Sequence, residues 1–130
     1  MARLTQEQLL EIFNKLKKEV APYQKGNIKA RIDIQGKYDL WAEKKGMMAA
    51  GKERNELAFT AIILQSNYVG FYFMPIYCCE PVRKALSPDL LKHLKGKACF
   101  HIRSTDPELM KQIKDAMKIG YDAFKKMGWT

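Results

Sequence analysis

LAFTAIILQSNYVGFYFMPIYCC, residues 57–79, passes without a charged side chain through a chain in which 28% of residues are charged. A stretch of this length invites a membrane reading, because about 20 apolar residues span a bilayer. Its interior argues for a hairpin instead. Gln65-Ser66-Asn67 is a polar turn at the middle, Gly70 and Pro75 interrupt the second half, and β-branched and aromatic residues crowd both arms. The expectation is two strands, roughly 56–65 and 69–77, apolar on both sides and therefore central in a sheet. Pro75 cannot donate to a ladder, so the second strand should lose its pairing near that end or lie beside a bulge.

Upstream, Thr5 and Gln8 form a Thr-x-x-Gln capping box, and Leu9, Ile12, Phe13, Leu16 and Val20 follow at helical spacing. Pro22 should end that helix. From Asn27 the period changes to two: Ile28, Ala30, Ile32 and Ile34 alternate with Lys29, Arg31 and Asp33, the pattern of a half-buried strand. A turn at Gln35-Gly36-Lys37 leads to a second strand near Tyr38–Glu43, and residues 46–54 read as a loosely ordered connection.

Downstream, Ser87-Pro88-Asp89 is a helix start, with Leu90, Leu91 and Leu94 facing inward and Gly96 as the stop. A fifth strand, 98–103, sets Ala98, Phe100 and Ile102 against Cys99, His101 and Arg103. The start signal around Thr105-Asp106-Pro107-Glu108 then opens a long amphipathic helix, in which Gly120 implies close approach to another element and Gly128 a C-terminal cap. Helix, four strands, short helix, strand, long helix is an α+β order: a single antiparallel sheet of about five strands, with N- and C-terminal helices packed on one face.

At 130 residues and 47% hydrophobic content the chain, residues 1–130, reads as one domain. Three cysteines, with Cys78 and Cys79 adjacent and Cys99 apart, suit reduced thiols better than a disulfide framework, and no apolar leader core appears in the first thirty residues. A cytoplasmic protein without a membrane partner is the expectation. The net charge of +9 favours anionic partners, but the basic excess is scattered over short clusters, such as Lys15-x-Lys17-Lys18 and Lys92-x-x-Lys95-x-Lys97.

Three segments carry a resemblance: Tyr38-Asp39-Leu40-Trp41, the run Tyr68-Val69-Gly70-Phe71-Tyr72-Phe73-Met74-Pro75, and the run Leu90 to Ile102 through Gly96-Lys97. In their order they resemble the YdhG-like family of small bacterial proteins, a domain of unknown function, over roughly residues 5–130. The resemblance implies a compact α+β domain. Because some relatives are described as frataxin-like iron chaperones, it also implies a metal-carrier reading. It places no catalytic residue on this chain.

The residues themselves offer several sites. Glu7 and Glu11, one turn apart, are a carboxylate pair for a hard cation, although Lys15, Lys17 and Lys18 follow at once. Cys99 and His101 share a strand face, with His93 on the preceding helix, so a soft-metal cluster is conceivable; packing explains the same residues. Gly46-x₄-Gly51-Lys52 lacks both the apolar strand and the following Ser or Thr of a phosphate loop. No cofactor and no catalytic motif is identified. The remaining candidate is the sheet face turned away from the helices, carrying Arg31, Trp41, Tyr72, His101 and Arg103. Such a face suits a small anionic ligand, single-stranded nucleic acid or a homodimer contact, unless residues 46–54 cover it. The chain therefore reads as a non-catalytic binding or interaction domain, with metal carriage and anion or nucleic-acid binding as alternatives.

Overall fold

The computed structural model describes residues 3–130. Helix α1, Gln6–Val20, starts on the capping box: the Gln8 N–H donates to the Thr5 hydroxyl at 3.1 Å, and the Thr5 N–H donates to the Gln8 side chain at 2.8 Å. Its stripe of Leu9, Ile12, Phe13, Leu16 and Val20 is buried. The α-helix ends at Val20, ahead of Pro22 as expected, and the chain tightens into a 3₁₀ turn, Ala21–Tyr23. A proline costs little there, since the first N–H groups of a helical turn have no internal acceptor.

Six strands follow in one sheet of order β1-β2-β3-β4-β6-β5, with every neighbouring pair antiparallel. They are β1 Ile28–Ile34, β2 Lys37–Ala49, β3 Lys52–Leu64, β4 Val69–Phe73, β5 Leu94–Lys95 and β6 Cys99–Ile102. Between β4 and β5 lie three short helices, α2 Pro75–Cys78, α3 Glu80–Ala85 and α4 Pro88–Leu91; α5, Pro107–Lys126, closes the chain. None of the helices among the described residues is long and apolar enough to cross a membrane.

The uncharged stretch is a hairpin turning at Gln65-Ser66-Asn67, but its second arm is shorter than expected. β4 stops at Phe73, and Pro75 opens α2 rather than ending a strand. Leu94, expected on a helix, pairs in β5 with Phe100 of β6, which adds the sixth strand. Residues 46–54 are not a loose connection: they form the far end of the β2–β3 ribbon, closed by Ala50 and Gly51 at φ 52° and 76°. Two positive angles in succession are those of a type I′ hairpin turn. The ribbon prolongs the sheet and leaves its second face uncovered by that segment.

A bulge between Ala30 and Ile32 overturns the alternation expected of β1. One extra residue exchanges the two faces beyond it. Ile28 and Ala30 face the helices, but Ile32 pairs with Asp39 and Ile34 with Lys37 on the opposite face, where Ile34 is 62% exposed. Asp33 turns inward and meets Lys17 of α1 at 2.5 Å.

The core lies between the sheet and the α1/α5 layer. Tyr38, Leu40, Phe59, Ile62, Phe71, Phe73 and Phe100 meet Phe13 and Leu16 of α1 and Ile113, Met117 and Phe124 of α5, all buried. The hydroxyl of Thr60, the one buried polar residue among the described residues, donates to Met117 Sδ at 3.7 Å. α5 ends as expected: Gly128 takes φ 80°, and Trp129 N–H donates to Phe124 O at 2.9 Å. Trp129 then packs edge-on to Phe124, 5.0 Å between centroids, and its Nε1 donates to Met48 O at 3.1 Å.

Gly120 is where α5 crosses β4. A Cβ there would lie 2.5 Å from Phe73 Cζ and 2.9 Å from Pro75 Cγ. In Gly120→Ala the helix-propensity gain of about 1 kcal/mol is opposed by an overpacking cost of roughly 1–3 kcal/mol, so urea unfolding should show net destabilisation; a more stable variant would mean the contact relaxes freely. Ala50 has the opposite defect, a left-handed angle without a side chain suited to it. Ala50→Asn should raise stability by about 0.5–1 kcal/mol, and a lower unfolding midpoint would contradict the turn assignment.

Candidate functional site

The register assigns the second face of the sheet. Asp39, Ala61, Tyr72, Cys99 and Lys95 form one row across five strands, and Ile63, Gly70 and His101 form the next. Trp41 pairs with Ala58 on β3, so alanines separate Trp41 on one side from Tyr72 on the other. Of the residues expected on this face, Arg31, Trp41, Tyr72 and His101 are there, and each is already engaged.

Arg31 sits in the β1 bulge. Its guanidinium lies 4.2 Å from the Trp41 ring centroid, donates to Glu43 at 2.8 Å and pairs with Glu56. The bonds to Glu43 and Glu56 raise its pKa further above the ordinary guanidinium value. Trp41 Nε1 donates to Asp39 at 3.0 Å. Tyr72 lies flat on the sheet, with its ring over the backbone of Gly70, where a Cβ would come within 2.6 Å of Tyr72 Cε2. Burial, with the adjacent Cys99 adding to it, raises the Tyr72 pKa, and burial likewise raises that of Cys99. His101 stacks on Tyr68 at 3.7 Å and 10°.

Arg103 belongs elsewhere. Its Nε donates to Asn67 O at 3.0 Å, and Leu4 N–H donates to the Asn67 side chain, so Arg103 helps fasten the 65–68 turn and the chain ahead of α1. The metal candidates are dispersed as well. Glu7 and Glu11 line a shallow depression with Lys15 and Lys18. His93 meets β6 through its backbone, its carbonyl accepting from His101 N–H at 2.9 Å. Among the described residues no group of three or more His, Cys, Asp and Glu side chains could hold a metal ion.

A different site forms where β4 ends early. β3 runs from Lys52 to Leu64, yet β4 pairs only with Thr60–Leu64, so residues 52–58 pair with β2 alone. Beside that open edge is a cleft of about 620 Å³, bounded by the ribbon tip, by α2 and by the end of α5. Met48 at 56%, Tyr77 at 56% and Met127 at 54% exposure line it, three of the four large apolar side chains exposed among the described residues. Leu57, Phe124 and Trp129 supply the inner wall. Arg54 is the only charged residue lining it, and no ion pair engages Arg54 among the described residues. Lys97 Nζ lies 5.4 Å from the Tyr77 ring.

Sequence reasoning missed this cleft because its walls come from three distant segments. The available signal was Met47-Met48-Ala49 just before Ala50-Gly51, an apolar tip on what is now a hairpin.

Burial, with Lys95 adding to it, lowers the His101 pKa from 6.5. A lowered folded-state value means the unfolded chain binds the proton more readily, so this contribution is present above about pH 6.5 and is lost as pH falls through the folded value. His101→Gln should flatten the decline in unfolding midpoint between about pH 7 and pH 5; an unchanged slope would remove His101 from the titration. No family model, no curated protein and no solved structure matches this chain.

Proposed function

We propose that the protein is a non-catalytic binding domain whose ligand is a small amphipathic anion, an apolar body carrying one carboxylate or similar group, held in the cleft beside β3. The observation that carries this reading is that Met48, Tyr77 and Met127 border one cavity with Arg54 as its only charged wall, Met48 and Arg54 reaching it from opposite faces of the ribbon. Exposed apolar side chains scattered singly need no explanation, but three on a concave surface are what a ligand would cover. The volume lies within the roughly 300–1,000 Å³ of small-molecule sites. Arg54 sets the sign of the ligand.

The sheet face supports this role less well. Arg31 is neutralised by Glu43 and Glu56, and Asp39 adds a third carboxylate, so a phosphate backbone would meet opposing charge around Trp41, while Lys37 and Lys95 stand elsewhere on the face. Metal carriage, implied by the YdhG-like resemblance, rests on Glu7 and Glu11, which lie among lysines.

Decanoate, with decanol as the uncharged comparison, tests the reading by calorimetry and thermal shift. Decanoate should stabilise the wild-type protein and decanol less so. Arg54→Gln should weaken decanoate binding roughly tenfold, the worth of about 1.5 kcal/mol for a charge-assisted contact, without altering decanol. Met127→Asp should abolish decanoate binding by placing an anion at the cleft wall. Absence of binding to the wild-type protein, or equal affinity in both variants, would reject the cleft as the site.

A further inference from the structure

α2 ends on two cysteines. Cys78 is its last residue, and Cys79 is an extended joint, φ −131° and ψ 96°, between α2 and α3. Their sulfurs lie 3.1 Å apart, at contact distance, and neither is in a disulfide. Both can be reached from solvent, Cys78 exposed and Cys79 partly so. Cys78 Sγ also donates to the Pro75 carbonyl at 3.9 Å and borders the cleft beside β3. This is not the setting of a packed core thiol.

We propose that Cys78 and Cys79 form a redox-modification site, a vicinal thiol pair that a small disulfide of the oxidised-glutathione class converts to a bridge between neighbouring residues. The chemistry balances in two exchanges. The Cys79 thiolate attacks one sulfur of the small disulfide, whose S–S bond breaks to release one thiol and leave a mixed disulfide on Cys79. Cys78, after losing its proton to solvent, attacks the Cys79 sulfur and expels the second thiol. The two protein thiols lose two electrons and two protons, and the small disulfide gains them as two thiols.

The location suits this closure. A bridge between neighbours distorts the peptide that joins them, and here that peptide links two short helices rather than lying within a strand ladder or a long helix. Although Cys78 as a residue is exposed, desolvation of its thiol against Pro75 and then the bond to the Cys79 thiol raise its pKa, so ring closure speeds up as pH rises. A high-pKa thiol is also a poor leaving group, which makes the bridge slow to reopen at that sulfur. Cys99, partly buried on β6 beside Tyr72, is the internal comparison. The proposal stands on the thiol pair and does not require the cleft to bind a ligand.

The test treats the reduced full-length chain with oxidised glutathione, followed by intact mass, peptide mass and thiol counting after denaturation. The expected product lacks two hydrogens in the peptide holding Cys78 and Cys79, retains no glutathione and keeps the Cys99 thiol. Cys78→Ser should instead accumulate the mixed disulfide on Cys79. Prior treatment with phenylarsine oxide, which caps paired thiols, should protect the wild-type pair and leave the Cys99 thiol free to be counted. A wild-type chain that keeps all its thiols, or that stays glutathionylated without closing, would overturn the proposal. So would a pair that phenylarsine oxide fails to protect.

Discussion

The proline at position 75 forces the fourth strand to end, and the rest of the architecture accommodates that ending. Pro75 has no N–H for a ladder, and the last β3–β4 link is the bond from Met74 N–H to Phe59 O at 3.0 Å. Met74 holds helical angles, φ −62° and ψ −30°, which a following proline disfavours. Burial offsets that cost, because the pyrrolidine packs against α5 where Gly120 has no side chain. The chain then leaves the sheet as α2, and half of β3 is left without a second neighbour. A ribbon so long would be weakly held by β2 alone. It is tied instead to the end of α5: Trp129 donates to Met48 O, and Lys44 Nζ donates to Gly128 O at 3.1 Å. The cleft is the space between these ties and α2.

The same economy explains why the second face of the sheet is quiet. The β1 bulge delivers Arg31 to Trp41 and within reach of both Glu43 and Glu56. Each exposed ion pair is worth less than about 1 kcal/mol, so their contribution is to cancel charge rather than to stabilise the fold. The net charge of +9 is consequently not concentrated there. The bulge also interrupts the edge strand, and a kinked, charged edge is poorly suited to pairing with a second chain.

Local signals made most of the fold legible. The Thr5–Gln8 capping box, the turn at Gln65-Ser66-Asn67, the Asp106-Pro107 helix start and the Gly128 cap each depend on neighbours within a few residues, and each is where the sequence places it. The close approach at Gly120 was legible as a cost needing a reason. What stayed hidden depends on partners distant in the chain. Nothing between Ala30 and Ile32 announces a bulge, since its cause lies in the pairing with β2. Ala50-Gly51 was obscured because alanine is an uncommon first residue of a type I′ turn. Arg103 alternates correctly with His101, yet the strand ends at Ile102 and the side chain turns to Asn67.

The candidate site follows the same division. Of the residues grouped by strand face, Arg31 and Trp41 meet each other, Tyr72 and His101 pack on Gly70 and Tyr68, and Arg103 turns to Asn67 instead. Met48, Tyr77, Met127 and Arg54 come together where three segments meet at the margin of the core. Few contacts join those segments: the ribbon meets the end of α5 through the Trp129 and Lys44 hydrogen bonds, and α2 meets α5 where Pro75 faces Gly120. A ligand in that space would contact all three at once and replace the neighbour that β4 does not provide. Binding would therefore be linked to the ordering of the ribbon against α5, so the strand that ends early creates both the room for a ligand and the stability a ligand can add.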